Sequence, residues 1–273
     1  MREKGFQLLF FLLFLAGSSV WFSSYLYQRQ AALALDQRTV ESDAFRRMNL
    51  SEGVLLKMTD AVKDGLTPSE ILTALHPFCR RETVCWPRQW ENRAVFSWRS
   101  ALLKNNRAGY QAVWEAYAAI WDDVECFPVA VEDVSYENTW MFERTYGGLR
   151  GHEGTDLIPD ENLSGIYPIV SMTDGVVEKV GWLEQGGYRI GIRSTLGGYF
   201  YYAHLDSYAR EFQVGDIICA GERLGLMGDT GYGKEGTRGM FDVHLHLGIY
   251  IRTAQVEELS VNPYWVLRYA EKL

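Results

Sequence analysis

The longest apolar stretch of the chain has no period: no charged residue falls between Gly5 and Tyr27. A segment that is apolar all round and long enough to cross a bilayer at about 1.5 Å per residue predicts a membrane-spanning helix. Beyond it, to about residue 125, apolar positions recur at helical spacing. In "LTPSEILTAL", Thr67 stands as N-cap, Pro68 takes the first helical position and Glu70 completes a capping box. In "AGYQAVWEAYAAIWDDV", Val113, Trp114, Tyr117, Ile120 and Trp121 share one helical stripe, which reads as a packing face. The texture changes after "CFPVAVEDVSYENTW". From about residue 146 glycine becomes frequent and the apolar runs shorten. "YPIVSMTDGVVEKVGW", "YRIGIRSTLGGYFYYAHL" and "VGDIICAGERLGLMG" read as strands joined by Asp-Gly or Gly-Gly turns, and Gly147–Gly148 reads as another turn. The pattern predicts an α+β chain in three parts. These are a cytoplasmic tip and transmembrane anchor at 1–30, a helical region at 31–130 and an antiparallel β domain at 131–273.

Charge gives the first part an orientation. Arg2 and Lys4 precede the apolar run, so that end is expected to stay cytoplasmic, with Trp21, Phe22, Tyr25 and Tyr27 as an aromatic belt at the outer interface. A cleaved signal peptide is the competing reading, with Leu8–Ala16 as its apolar core and a small-residue site around Ala16–Ser18. Apolar character resumes after Ser19, which favours the uncleaved anchor. On both readings the rest of the chain is exported, and no lipobox-like cysteine follows the run.

With 273 residues the chain can bury a substantial core, and its formal net charge of −8 argues against a nucleic-acid partner. The four cysteines permit disulfides outside the cell without requiring them. Cys79 and Cys85 are close enough in sequence to bridge a small loop, whereas Cys126 and Cys219 are far apart. Cys219 reads as buried filler. No C-x-x-C occurs, so neither a thiolate zinc site nor a thioredoxin-like motif is signalled.

The candidate chemistry lies in the histidines. Of five in the chain, His76 precedes Pro77 at a helix end and reads as structural or surface. The other four fall in the β domain. "MFDVHLHLGIY" places His244 and His246 two apart on a strand, where both side chains share a face. "RGHEGTD" adds His152 and Asp156, and "YYAHLD" adds His204. "RGHEGTD" begins like the helical H-E-x-x-H motif, but its fifth position is Asp156 and its glycine and threonine oppose a helix. Glu153 is therefore not assigned a general-base role. Two histidines and an aspartate form a donor set suited to zinc with an open fourth position for water. The remaining two histidines would then move protons and hydrogen-bond an oxyanion.

"RGHEGTD", "YYAHL" and "VHLHLGI", in that order, resemble the three signature segments of the lysostaphin/LytM-type zinc endopeptidases, over roughly residues 140 to 255. The resemblance implies an antiparallel all-β catalytic domain holding one zinc ion per chain. It implies that His152, Asp156 and His246 bind that ion and that His204 and His244 form the catalytic pair. The implied activity is hydrolysis of peptide bonds in peptidoglycan stem peptides or cross-bridges, at the outer face of a bacterial membrane. Two departures stand out. "MFERTYGG" lacks the glycine many relatives carry before the arginine, and Ser171 stands where alanine is common. Tyr146 matches a tyrosine that in some relatives helps stabilise the tetrahedral intermediate. The rival expectation is a non-enzymatic envelope or spore-formation protein that binds a partner through the same β domain. Residues 31–125 are expected to form a compact stalk or a lid.

Overall fold

The computed structural model describes residues 2–79, 83–86, 92–131, 133–146 and 148–273. Gly147 of the expected Gly147–Gly148 turn, and the Arg80–Glu82 segment between Cys79 and Cys85, lie outside them.

The apolar run forms helix α1 (Arg2–Leu33), whose side chains from Phe6 to Leu26 are exposed. From Phe6 to Leu33 this helix is long and apolar enough to cross a membrane. A helical layer follows: α2 (Gln37–Glu41), α3 (Asp43–Arg47), α4 (Glu52–Lys63), α5 (Pro68–Leu75), α6 (Asn92–Asn105) and α7 (Arg107–Trp121). The capping box at Thr67 and Glu70 forms as the sequence predicts. On α7, Val113, Tyr117, Ile120 and Trp121 are buried, and Trp114 packs partly buried against the same core. His76 sits at the C-terminus of α5, its Nδ1 3.0 Å from the Tyr117 hydroxyl. It is structural.

The β layer comprises β1 (Val134–Tyr136), β2 (Glu143–Arg144), β3 (Arg150–Gly151), β4 (Thr155–Pro159), β5 (Pro168–Val170), β6 (Gly175–Leu183), β7 (Gly187–Ser194), β8 (Tyr199–Tyr208), β9 (Ile217–Ile218), β10 (Arg223–Met227), β11 (Leu245–Ile251) and β12 (Leu259–Val261). The main sheet runs β1-β4-β11-β8-β7-β6-β9, with β12 beside β11 and with β10 joining β5 to β8; β2 and β3 form a separate hairpin. Every strand pairing is antiparallel. A short helix, α8 (Tyr264–Ala270), follows the sheet and departs from the all-β expectation for this region. Its apolar residues Val266, Leu267 and Ala270 are buried, and the Asn262 side chain accepts from the Tyr264 amide at its start.

The two layers share one core. Arg46 Nε donates to the Ser260 carbonyl (3.0 Å), Asn262 donates to the Arg47 carbonyl (3.1 Å), and Trp121 packs edge-on against Tyr269. At Gly198 the β7–β8 turn passes so close to the Ala119 carbonyl that any Cβ would collide with backbone. One cysteine expectation changes, and one left open is answered. Cys219 is exposed, because β9 ends at Ile218 and the chain turns outward, its amide donating to Glu222. Cys79 and Cys85 are both free thiols.

Candidate active site

The pairing of β4 with β11 sets Asp156 directly against His246, so their side chains share a face. His152 reaches the same point from the loop before β4, tied down by hydrogen bonds to and from the backbone of Phe142 and Met141. It is 2% exposed. His152 Nε2, Asp156 Oδ1 and His246 Nδ1 form a triangle with all three sides at 3.0 Å. Donors of a tetrahedral ion bound at about 2.0–2.1 Å stand about 3.3 Å apart, so small relaxations fit this triangle to a metal ion. Gly154 makes room for it: a Cβ there would meet His246 Cε1 at 2.5 Å. The three residues could hold a metal ion, as a group whose ligand atoms lie within 4.8 Å of one another.

Outer contacts aim these side chains. Arg144 Nη2 donates to Asp156 Oδ2 at 2.6 Å, leaving Oδ1 for the triangle. His152 Nδ1 lies 3.2 Å from the Thr139 carbonyl, which accepts its proton when Nε2 is left as a bare lone pair. Burial alone would raise the Asp156 carboxyl. Hydrogen bonds from His152 and His246 outweigh it and hold the group well below the usual carboxylate range. Burial also lowers His246, against the pull of Asp156, so its ring is neutral and fit to ligate.

His204 and His244 flank the triangle. Strand β8 pairs with β11 through Ala203 and with β10 from Leu205, and His204 falls at the change of partner. Tyr188 pairs with Leu205 while Ile190 pairs with Tyr202, so Arg189 alone faces Ala203 and His204 across a bulge. His204 takes a left-handed φ of 63° there, a strained conformation for a non-glycine residue. The bulge re-aims the ring. Nδ1 donates to the Thr230 carbonyl at 2.8 Å and leaves Nε2 unprotonated. Burial, then the neighbouring His244 and His246, hold His204 well below its ordinary value. His244 precedes β11, in a single bridge with Gly228, and donates from Nδ1 to the Asp242 carbonyl at 2.7 Å. Its Nε2 lies 3.9 Å from Asp156 Oδ1, and its ring centroid lies 4.7 Å from that of His204. Phe241 packs against both rings.

All five residues line one groove of about 660 Å³. Among the described residues, every one that lines it comes from Arg144 onward, and none belongs to the helical layer. Tyr146 lies stacked on Tyr232, ring centroids 3.8 Å apart, and it is Tyr232 that lines the groove. Sequence reading missed Arg144 as the partner of Asp156, and Tyr232 and Phe241 as walls. A single arginine eight residues before His152 has no spacing signature that would reveal it.

Residues 150–263 match the model of peptidase family M23. A Bacillus subtilis protein named L-Ala–D-Glu endopeptidase is 40% identical over 164 residues, 60% of this chain, and the chain spans 49% of that relative's length. The crystal structure of a candidate glycyl-glycine endopeptidase LytM from Ruminococcus gnavus is 47% identical, with a TM-score of 0.73 over 85% of this chain and 92% of that one. At 85% of the chain, the match reaches into both the helical layer and the β layer. The chain belongs to peptidase family M23.

Proposed function

We propose that this protein is a zinc endopeptidase that hydrolyses peptide bonds in the stem peptides or cross-bridges of peptidoglycan, with α1 anchoring it to the outer face of a bacterial membrane. The observation that carries the reading is the 3.0 Å triangle of His152, Asp156 and His246, faced by two further histidines with free Nε2 atoms. Two neutral imidazoles and one carboxylate suit zinc, one ion per chain, and leave a position open. When bound, zinc supplies a Lewis acid for the scissile carbonyl and activates water near neutral pH.

The chain's own residues supply the rest. Arg144 keeps Asp156 single-ended toward the triangle. His204, neutral because it is buried, accepts a proton at Nε2, and the fixed Nδ1 contact to Thr230 prevents the ring from turning away. His244, less enclosed, stands across from it; once its Nε2 has taken up a proton it can donate to the developing oxyanion or the leaving amine, and the two histidines share these duties. Phe241 shields both rings from water.

The names of the relatives support a peptide substrate but differ in the bond they specify. The apolar helix supports attachment to a membrane. The test is digestion of purified sacculi by the zinc-loaded chain, with soluble products identified by mass. Release of peptide fragments with new amino termini, abolished by chelation, is expected. Intact sacculi after prolonged incubation would overturn the reading.

A further inference from the structure

The groove has a second polar region, away from the histidines. His246 pairs with Ala203 across β11 and β8, and Arg189 on β7 stands opposite Ala203 at the bulge. At about 4.8 Å between strands, this row sets Arg189 about 10 Å from His246. The Arg189 side chain lines the groove, and its Nη1 is buried with no hydrogen-bond acceptor among the described residues. Arg150 lines the same groove from β3, and its Nε is likewise buried without an acceptor. Both charges reach the Tyr201 hydroxyl, where they oppose the rise that burial causes.

Neighbouring cations are treated differently by the fold. Arg193, four residues along the same strand, is held by both oxygens of Glu178 at 2.6 and 2.7 Å. Lys179 is paired with Glu258, and Arg144 with Asp156. Only Arg189 and Arg150, among the described arginines and lysines lining the groove, have no carboxylate of the chain's own. A guanidinium N–H stripped of water and left unpaired is costly, and the acceptor that suits it best is a planar carboxylate.

We propose that Arg189, together with Arg150, forms a carboxylate subsite that makes the groove selective for acidic peptides. In an extended peptide, side chains on one face repeat about every 7 Å, so a carboxylate at this subsite belongs to a residue one or two positions from the scissile bond. The proposal rests on the peptidase reading of the groove. Arg189 acts on selectivity and not on the reacting atoms.

The test uses the full zinc-loaded chain in detergent and two synthetic stem-like peptides. One carries a free glutamyl carboxylate beside the scissile bond, and the other carries the carboxamide at that position. Turnover is measured on the unmodified chain, and binding on the His244→Ala chain. The carboxylate peptide is expected to be favoured on the order of 10-fold to 100-fold in both kcat/KM and Kd. Arg189→Gln should bring both ratios close to one, and Arg189→Lys, which keeps the charge without the fork, should leave an intermediate ratio. Thermal melts confirm folding, and Arg189→Lys replaces Arg189→Gln if the latter does not fold. A ratio near one in the unmodified chain overturns the subsite and leaves the peptidase reading standing. So does a full ratio that survives in a folded Arg189 variant. If neither peptide is cut but the binding ratio behaves as expected, the subsite stands and the peptidase reading fails.

Discussion

His76 in the helical layer and His204 in the β layer are both enclosed, and burial pushes both below their ordinary value, His76 to about 4. Their surroundings differ. His76 packs between Phe45 and Tyr117 and spends its Nδ1 on the Tyr117 hydroxyl. His204 is held at a left-handed φ, with its ring beside those of His244 and His246 on a groove wall. Burial makes a neutral imidazole in either layer. A site requires in addition that several such groups converge, that backbone strain is accepted to aim one of them, and that solvent space adjoins them.

The sharpest way to break this comparison is to truncate each histidine. His204→Ala is expected to lower turnover by a factor on the order of 10² or more while zinc stays bound, as for other positioned proton-transfer groups. His76→Gln should leave turnover within about twofold, since no described residue of the helical layer lines the groove. Assays of kcat/KM and metal content on both variants check this, and equal losses would erase the distinction. Next in size, Arg144→Gln frees Asp156 Oδ2 and should weaken zinc affinity by about 10–100-fold, measured by competition with a chelator. Gly154→Ala drives a methyl against the His246 ring and should cost about 1–3 kcal/mol of stability, read from denaturant midpoints.

The smallest effect at neutral pH belongs to His76. Its folded value of about 4 lies below the ordinary 6.5, so between those pH values the unfolded chain binds the extra proton and stability falls as pH falls. Melting temperatures of the unmodified chain should therefore drop more steeply from pH 6.5 to 4 than those of His76→Gln. Parallel curves would show that His76 does not titrate on unfolding.

What the sequence disclosed follows from the same physics. An unbroken apolar run marked α1, capping chemistry marked α5 and period marked α7, because helices advertise themselves locally. The H-x-H spacing placed two imidazoles together, because strand alternation is equally local. The strand begins only at Leu245, so His244 joins the cluster through its bridge to Gly228 and not as part of the ladder. Features that depend on non-local pairing stayed hidden. The bulge that turns His204 arises from the register of β7 against β8, and the open state of Arg189 shows only once the pairings of the neighbouring cations are known. Cys219 was misread as buried because an apolar run at a sheet edge looks like one at the centre, while only Ile218 of that run turns inward. Helix α8 carried readable signals, Asn262–Pro263 followed by apolar residues at helical spacing, but its short length let the surrounding strand pattern mask them.

The central claim is a division of labour within the cluster, and it turns on two residues that sit two apart. Zinc content of the purified His244→Ala and His246→Ala chains, measured side by side at low free metal, tests it most directly. The predicted result is one zinc per chain in His244→Ala and essentially none in His246→Ala. The reverse would exchange the two roles, and full zinc in both would remove His246 from the metal site.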